Sequence, residues 1–467
     1  MLPNAHPADG VEAAMLKFFR KLWRDRRGNA LVVAGAALPL IVGSAGLCSD
    51  TIQWTLWKRQ LQRAADSAAE AGVYAKVQGR DVGTCSTISG ATYDQPVAWD
   101  LKKNEHLATV PTCTVTNPPA TGSYTTDQYA VKVALSYQRQ LSFSGMFLST
   151  APTITANAIA TIVPSGHYCV VSLENTATTG ITATGNADVD MGCGMITNST
   201  SMTAAVATGS SDVNASPIAA VGGIAASNNW ASGTVLQPFT IAEADPFAAV
   251  NPPLSTEYPT QNCPNLTVNS NNSKTSFTSG SDYRPMTGTS AGAMCFGNLT
   301  IRGSVTFPAG SVIVLDGGSI SFGAQSSVSC SGCTFVLTNR SIATSPTIGN
   351  VDINGGATLN LSAPGTAATG IAANYKGIMI YQDRRAQDGN NANLQSTING
   401  NASSFLQGAF YFPSQQVQFN GTAGMSTNCL QLVARRVYYS GNMHISNSCP
   451  ADSGAADFTG KKVRLVA

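Results

Sequence analysis

Gly310–Asn339 reads GSVIVLDGGSISFGAQSSVSCSGCTFVLTN, and the fold is decided there. Short runs of Val, Ile, Leu and Phe are broken by Gly- and Ser-rich punctuation. β-Branched and aromatic residues suit a pleated strand, and Gly/Ser clusters mark turns. The stretch predicts three successive short strands.

A short motif carries the pattern outward: an apolar residue, one further residue, Gly, a small polar residue, then alternating apolar positions. It occurs as ATGNADVDM around Gly185, IRGSVTFPAG around Gly303 and INGGATLNL around Gly355. It returns as INGNASSFL around Gly400, FNGTAGMS around Gly421 and YSGNMHIS around Gly441. Repeats of about 20 residues that read as strand plus Gly/Asn turn predict a β-solenoid, a parallel β-helix. No single rung can bury its own apolar face, and stacking closes the core. A β-sandwich with glycine turns stays open as the alternative.

The composition agrees with a mainly β chain. Charged residues make up 11% of the 467 and net charge is +2, against about 25% charged in an average soluble protein. Nothing in that balance points to nucleic acid. Disorder is excluded, because 43% of residues are hydrophobic and net charge is small.

The N-terminal part departs from this pattern. Lys17, Arg20, Lys21, Arg24, Arg26 and Arg27 form a basic cluster, followed by an uncharged apolar run from Ala30 to Leu47. Such a run nearly spans a hydrocarbon core of about 30 Å, and Pro39 is tolerated in a membrane helix. The flanking cations place the N-terminus in the cytoplasm. Met15 is an alternative start. A cleaved signal peptide with a site at Ser44-Ala45-Gly46 is the rival reading.

Beyond the apolar run, Ile52, Leu56, Trp57, Leu61, Ala65, Ala68, Ala69 and Gly72 recur at helical spacing. They predict an amphipathic stalk helix. Its Ala-rich seam is compatible with two roles: covering a core of the same chain, or receiving a partner helix. Trp54 and Trp57 lie where an interfacial aromatic belt would be. Further on, Thr92–Asn104 reads as a short helix, and Tyr129–Leu135, Gln138–Phe147 and Ile154–Val163 read as strands.

RRGNALVVAGAALPLIVGSAGLCSDTIQWTLWKRQLQRAADSAAEAGVYA resembles the N-terminal region of the TadE/TadG-like proteins of Flp (tight adherence) pilus assembly. The resemblance rests on Gly28, Asn29, one apolar helix, Asp50 just past it, and the tail Leu61, Gln62, Ala65, Asp66, Ala68, Ala69 and Gly72. A prepilin-type cut after Gly28 would call for Glu at position 33, where Val33 stands. An unprocessed, TadG-like chain is therefore expected. Segments that follow such anchors also resemble this chain at Gly377–Arg384 (GIMIYQDR), Asn399-Gly400-Asn401 and Tyr411-Phe412-Pro413-Ser414.

The resemblance implies a bacterial inner-membrane, single-pass pilus-assembly component projecting into the periplasm. Its implied partners are the membrane and other assembly proteins met through the transmembrane/stalk helix. Cell-envelope glycans are a further partner class for an adhesive module. Some TadG-like proteins carry a von Willebrand A domain, whose metal site needs Asp-x-Ser-x-Ser. That triplet is absent here, and no metal, cofactor or catalytic residue is expected.

Cys48 lies at the membrane edge, and the other ten cysteines follow it. An even number on one side is what an oxidising compartment predicts. Connectivity is not written in the sequence. The simplest pairing joins nearest neighbours: Cys85–Cys113, Cys169–Cys193, Cys263–Cys295, Cys330–Cys333 and Cys429–Cys449. Cys330-Ser-Gly-Cys333 could also be redox-active or half a zinc site. It has no second C-x-x-C, and the chain has only four histidines.

A solenoid of this kind can also be a carbohydrate-active enzyme that uses a carboxylate cluster. The candidates are Asp352, Asp383 and Asp388, with Arg384 and Arg385. A solvated turn after GIMIY is the plainer reading of that charged island. The expected layout is a basic leader at 1–28, a transmembrane helix at 29–49 and a stalk at 50–80. A pilin-like α+β module at 81–163 and a solenoid-like domain at 164–467 complete it.

Overall fold

The computed structural model describes residues 17, 20–21, 26–103, 110–388, 395–399, 404–420, 426–427, 429–445, 449–455 and 458–467. Met15, Arg24, Gly400, Asn401 and Gly421 lie outside these residues. The chain is mainly β with one long N-terminal helix, and it divides into two units. The first comprises residues up to Ile162 together with Val463–Ala467. The second is Val163–Lys462.

In the first unit, α1 (Arg26–Val77) runs unbroken through Pro39, with no interruption at Ser44-Ala45-Gly46. Val32, Leu38, Leu40, Ile41 and Leu47 are bare on its surface, and this stretch is apolar and long enough to cross a membrane. From Leu61 onward one face is covered. Leu61, Ala64, Ala65, Ala68, Ala69 and Val73 share a core with Val131, Val133, Leu135, Ala156 and Ala158.

The covering surface is an antiparallel sheet of β1 (Thr112–Thr116), β2 (Val131–Gln138) and β3 (Thr153–Ser172), with β2 in the middle. α2 (Pro96–Lys103) adds Val97, Ala98 and Leu101 to the same core. Val466 N–H donates to Ile159 O (2.8 Å), so the 463–467 segment returns to this unit.

The Ala-rich seam therefore covers a core of its own chain. Small residues let the helix backbone approach the sheet. A Cβ on Gly72 would lie 2.8 Å from Val131 Cγ1. Gly72→Leu is expected to cost about 1–3 kcal/mol by overpacking, read as a lower denaturant midpoint of the full chain.

β1 is an additional strand, in a stretch to which the sequence reading assigns no element. One expectation is corrected in this unit: Gln138–Phe147 is not a strand beyond Gln138. Instead, Ser144–Met146 forms a 3-10 turn. The reason lies in α1: the Phe143 and Ser144 N–H groups donate to the Asp50 carboxylate (2.9 and 2.5 Å), so neither serves a β-ladder.

The second unit is built of parallel ladders in a β-helix-like arrangement. Leu299 pairs in register with Ile320, Ile320 with Val351, and Ile353 with Ile398. A second ladder joins Val305, Val328 and Leu359. A third joins Met294–Phe296, Val312–Asp316, Thr334–Thr338, Ile378–Gln382, Phe410–Tyr411 and Leu432–Ala434. The opening stretch holds four strands rather than three: Val312–Asp316, Ile320–Phe322, Ser327–Cys330 and Thr334–Thr338. The Cys330–Cys333 turn separates the last two.

The third ladder is buried on both faces, which explains its continuous apolar runs. Ile313, Leu315, Phe335, Leu337, Phe410 and Phe412 point into the main core. Their neighbours Val312, Val314, Val336, Tyr381 and Tyr411 point outward into a second cluster with Tyr258 and Tyr375.

The stacking order differs from the chain order. Leu432, Val433 and Ala434 pair in parallel with Val170, Val171 and Ser172 of β3, and Val437 pairs with Ile181. The stack then continues from β3 to Gly194–Thr197, Ile218–Ala220 and Leu236–Gln237. The chain thus enters the stack in its middle and climbs to one end by residue 237. Residues 241–262 then carry it to the other end, where the Leu266–Val268 rung begins.

Candidate functional site

The family-motif residues on α1 serve three purposes. Asp50 is buried and accepts from the two loop N–H groups named above. Gln62 donates to Asp66 (2.9 Å) and to Asn157 O of β3 (2.8 Å), tying helix to sheet. Leu61, Ala65, Ala68, Ala69 and Gly72 form the packed seam. Gly28 and Asn29 lie within the helix.

Two of the C-terminal motif segments, Gly377–Arg384 and Tyr411–Ser414, meet in one cluster, whereas Asn399 pairs with Asn420 on a different ladder. Arg384 donates to Val250 O (2.7 Å), to Phe247 O and to Asp245 (3.4 Å). Tyr381 Oη donates to Val250 O (3.1 Å), Tyr375 Oη to Asn251 O (3.2 Å) and Tyr411 Oη to Asp245 (2.7 Å). Ser414 Oγ donates to Arg384 O (2.6 Å). Phe247 packs edge-on against Tyr411 and Phe458. These groups clamp residues 245–251, part of the crossing segment, over the outer face of the third ladder. The segment acts as a strap.

The charged island is therefore not a solvated turn. Asp383 is 2% exposed and pairs with Arg385 (2.6 Å) while accepting from Thr338 Oγ1 (2.7 Å). Asp388 belongs to a different group, with Arg435, Arg436 and the fully buried Glu174. Asp352 is exposed on a neighbouring ladder and joins neither. The three candidate carboxylates are not brought together.

Glu174 accepts from Arg435 (3.0 Å), Arg436 (2.7 Å) and Thr176 Oγ1 (2.7 Å). Burial alone would raise its carboxyl, but these donors outweigh it and hold it down at about 2. Sequence reasoning missed Glu174, Asp245 and Arg436. An isolated Glu and an Arg-Arg pair 261 residues away carry no local signal.

The ten cysteines form five disulfides: Cys85–Cys113, Cys169–Cys193, Cys263–Cys295, Cys330–Cys333 and Cys429–Cys449. Cys48 is free and exposed. The sulfurs of Cys263 and Cys295 lie within 4.8 Å of the Asp316 carboxylate, a grouping of metal-ligand type. Those sulfurs are bonded to each other, and Asp316 accepts from Arg340 (2.5 Å). Because Cys330–Cys333 closes a three-residue separation, Cys330→Ser/Cys333→Ser is expected to cost only about 1.5 kcal/mol, measured by chemical denaturation.

A pocket of about 330 Å³ lies between the strap and the 3-10 turns Gly288–Ser290 and Gly370–Tyr375, lined by Asn251, Glu257, Thr289, Ser290, Asn374 and Tyr375 among others. Its carboxylate is already engaged. Glu257 accepts from Leu254 N (2.8 Å), Thr289 N (2.9 Å) and Ser290 Oγ (2.8 Å). These donors, with Thr289 Oγ1, lower its pKa against the opposing effect of burial.

The N-terminal helix is apolar and long enough to cross a membrane, which fits a single-pass anchor. Residues 28–75 match the family model described as putative Flp pilus-assembly TadE/G-like, over the stretch that forms α1. No curated protein and no solved structure matches the chain.

Proposed function

We propose that this chain is a membrane-anchored, non-enzymatic component of an Flp/Tad-type pilus-assembly or secretion system. It sits in the bacterial inner membrane with residues 29–49 spanning and its N-terminus in the cytoplasm. A pilin-like module and a β-solenoid project into the periplasm. The carrying observation is the coincidence of the family match at 28–75 with a helix whose apolar stretch leaves Val32, Leu38, Leu40, Ile41 and Leu47 exposed.

The five disulfides support an oxidising compartment. In-register stacking of short parallel strands supports the solenoid reading. A non-enzymatic role is supported by the carboxylates themselves. Asp383, Asp388, Glu174 and Glu257 are each committed to structural partners, and Asp352 stands apart from them, whereas glycoside hydrolysis needs two carboxyl groups facing one bond.

A second reading, an anchored carbohydrate-binding or adhesive module, is favoured by the pocket's polar and aromatic lining of Asn251, Thr289, Asn374 and Tyr375. A carbohydrate-active enzyme has less support.

The test is deletion of the gene with complementation. Loss of surface pili, restored by the full chain, is the expected result. Normal piliation in the deletion strain would overturn the proposal, and glycan binding by the purified chain would then favour the second reading.

A further inference from the structure

The loop between β2 and β3 carries an apolar tip. Met146, Phe147 and Leu148 are 76%, 73% and 52% exposed, and no charge occurs from Gln140 to Pro152. The loop is fastened to α1 where the apolar stretch ends. Asp50 holds the Phe143 and Ser144 N–H groups, and Ser142 Oγ donates to Gln53 Oε1 (3.0 Å).

The Phe143 ring lies on α1 at Gly46, where any Cβ would overlap it. That contact is one turn further into the apolar stretch than Asp50. Phe143 and Phe147 meet edge to face. The loop's aromatic residues therefore continue the bare surface of Val42 and Leu47.

Polarity is layered above this level. Arg139, the residue that opens the loop, stacks on Trp57 with its guanidinium 4.4 Å from the ring centroid. Trp57 is seven residues past Asp50, about 10 Å along a helix axis. Trp54 is partly exposed between them. Apolar residues, then tryptophans, then cations is the order expected across the interface of a lipid leaflet.

We propose that Phe143–Leu148 is a second membrane element, inserted among the acyl chains of the leaflet from which α1 emerges. It rests on the anchoring part of the function proposed above. A second contact point beside a single helix restricts tilt and rotation of the first unit, since interfacial anchors set both. Asp50 is then a positioning residue: it holds the loop at the depth where the tip enters lipid.

The test uses the full chain with Cys48→Ser, reconstituted in vesicles of phosphatidylethanolamine and phosphatidylglycerol under oxidising conditions. Spin labels are placed one at a time through Phe147→Cys, Leu40→Cys as the lipid reference and Ser123→Cys as the aqueous reference. At position 147, the ratio of oxygen to aqueous nickel-chelate collisions is expected to exceed that at 123 and to approach that at 40, as for a group buried about 5–10 Å into the interface. Adding Asp50→Ala is expected to lower that ratio, and an unchanged ratio would overturn the pinning role.

A label at 147 as wet as at 123, with 40 in lipid, overturns the loop proposal and leaves the anchor standing. Shielding of 147 from both reagents means a protein covers the tip, and this also overturns it. A water-exposed label at 40 sinks the anchor itself.

Discussion

Glu174→Gln is expected to destabilise the second unit by about 3–5 kcal/mol, the cost of breaking a buried ion pair from one side. The carboxylate is fully buried and holds both Arg435 and Arg436. Removing its charge takes away one of the two carboxylates paired with Arg436, itself only 7% exposed at the side chain. The position magnifies the effect. Glu174 follows β3, and the arginines lie on Cys429–Tyr439, the strand stacked against β3. Ser172 Oγ adds a bond to Arg435 O (2.9 Å) across the same seam.

The ion cluster therefore locks the joint where the two sequence-distant halves of the stack meet. The pH dependence follows from the depressed carboxyl. A group with a folded pKa of about 2 against an unfolded value of about 4.3 contributes its full stabilisation above the unfolded value. That contribution is lost as pH falls through the folded one. Urea midpoints of the wild type should drop between about pH 4.5 and pH 2, and Glu174→Gln should flatten that part of the profile. A variant with unchanged midpoint and slope would contradict the lock.

Arg384→Ala is expected to cost about 2–4 kcal/mol, with the loss concentrated in the strap. Hydrogen bonds to a charged donor contribute about 1.5–3 kcal/mol each, and buried acceptors left without one are penalised. The carbonyls of Phe247 and Val250 and the Asp245 carboxylate all lose their guanidinium. The tyrosine contacts remain, so the strap should loosen rather than the stack unfold. Hydrogen exchange in residues 245–254 is expected to rise well before exchange in Val312–Asp316 or Thr334–Thr338. Val336, Tyr381 and Tyr411 would then be uncovered, and binding of an apolar dye should increase. Uniform acceleration across the unit would instead mean that the clamp is part of the global core.

Much of this architecture was legible in the sequence. The apolar helix, its Ala-rich seam and the short-strand repeats each have a characteristic period, and burial follows that period. The Gln138–Phe147 stretch was misread because alternation alone does not reveal that Asp50, 93 residues away, takes the loop's N–H groups. The GIMIY and AFYF runs were apolar for a reason invisible locally: a strap from residues 241–262 covers their outer face. The charged Asp383-Arg384-Arg385 run looked solvated for the same cause, because its partners lie on other rungs and on the strap. Rung order was not readable at all, since a repeat specifies that rungs stack but not which stacks on which.

That permuted order bears on how the molecule is made. The strands after Val163 are synthesised early, yet the edge they rest on comes from residues 262 positions later. At about 5–20 residues per second, the open edge of β3 waits roughly 13–52 s for its neighbour. During that interval it is a bare template for wrong pairing. The early rungs of this unit are therefore completed on that side only when residues 432–437 have been made.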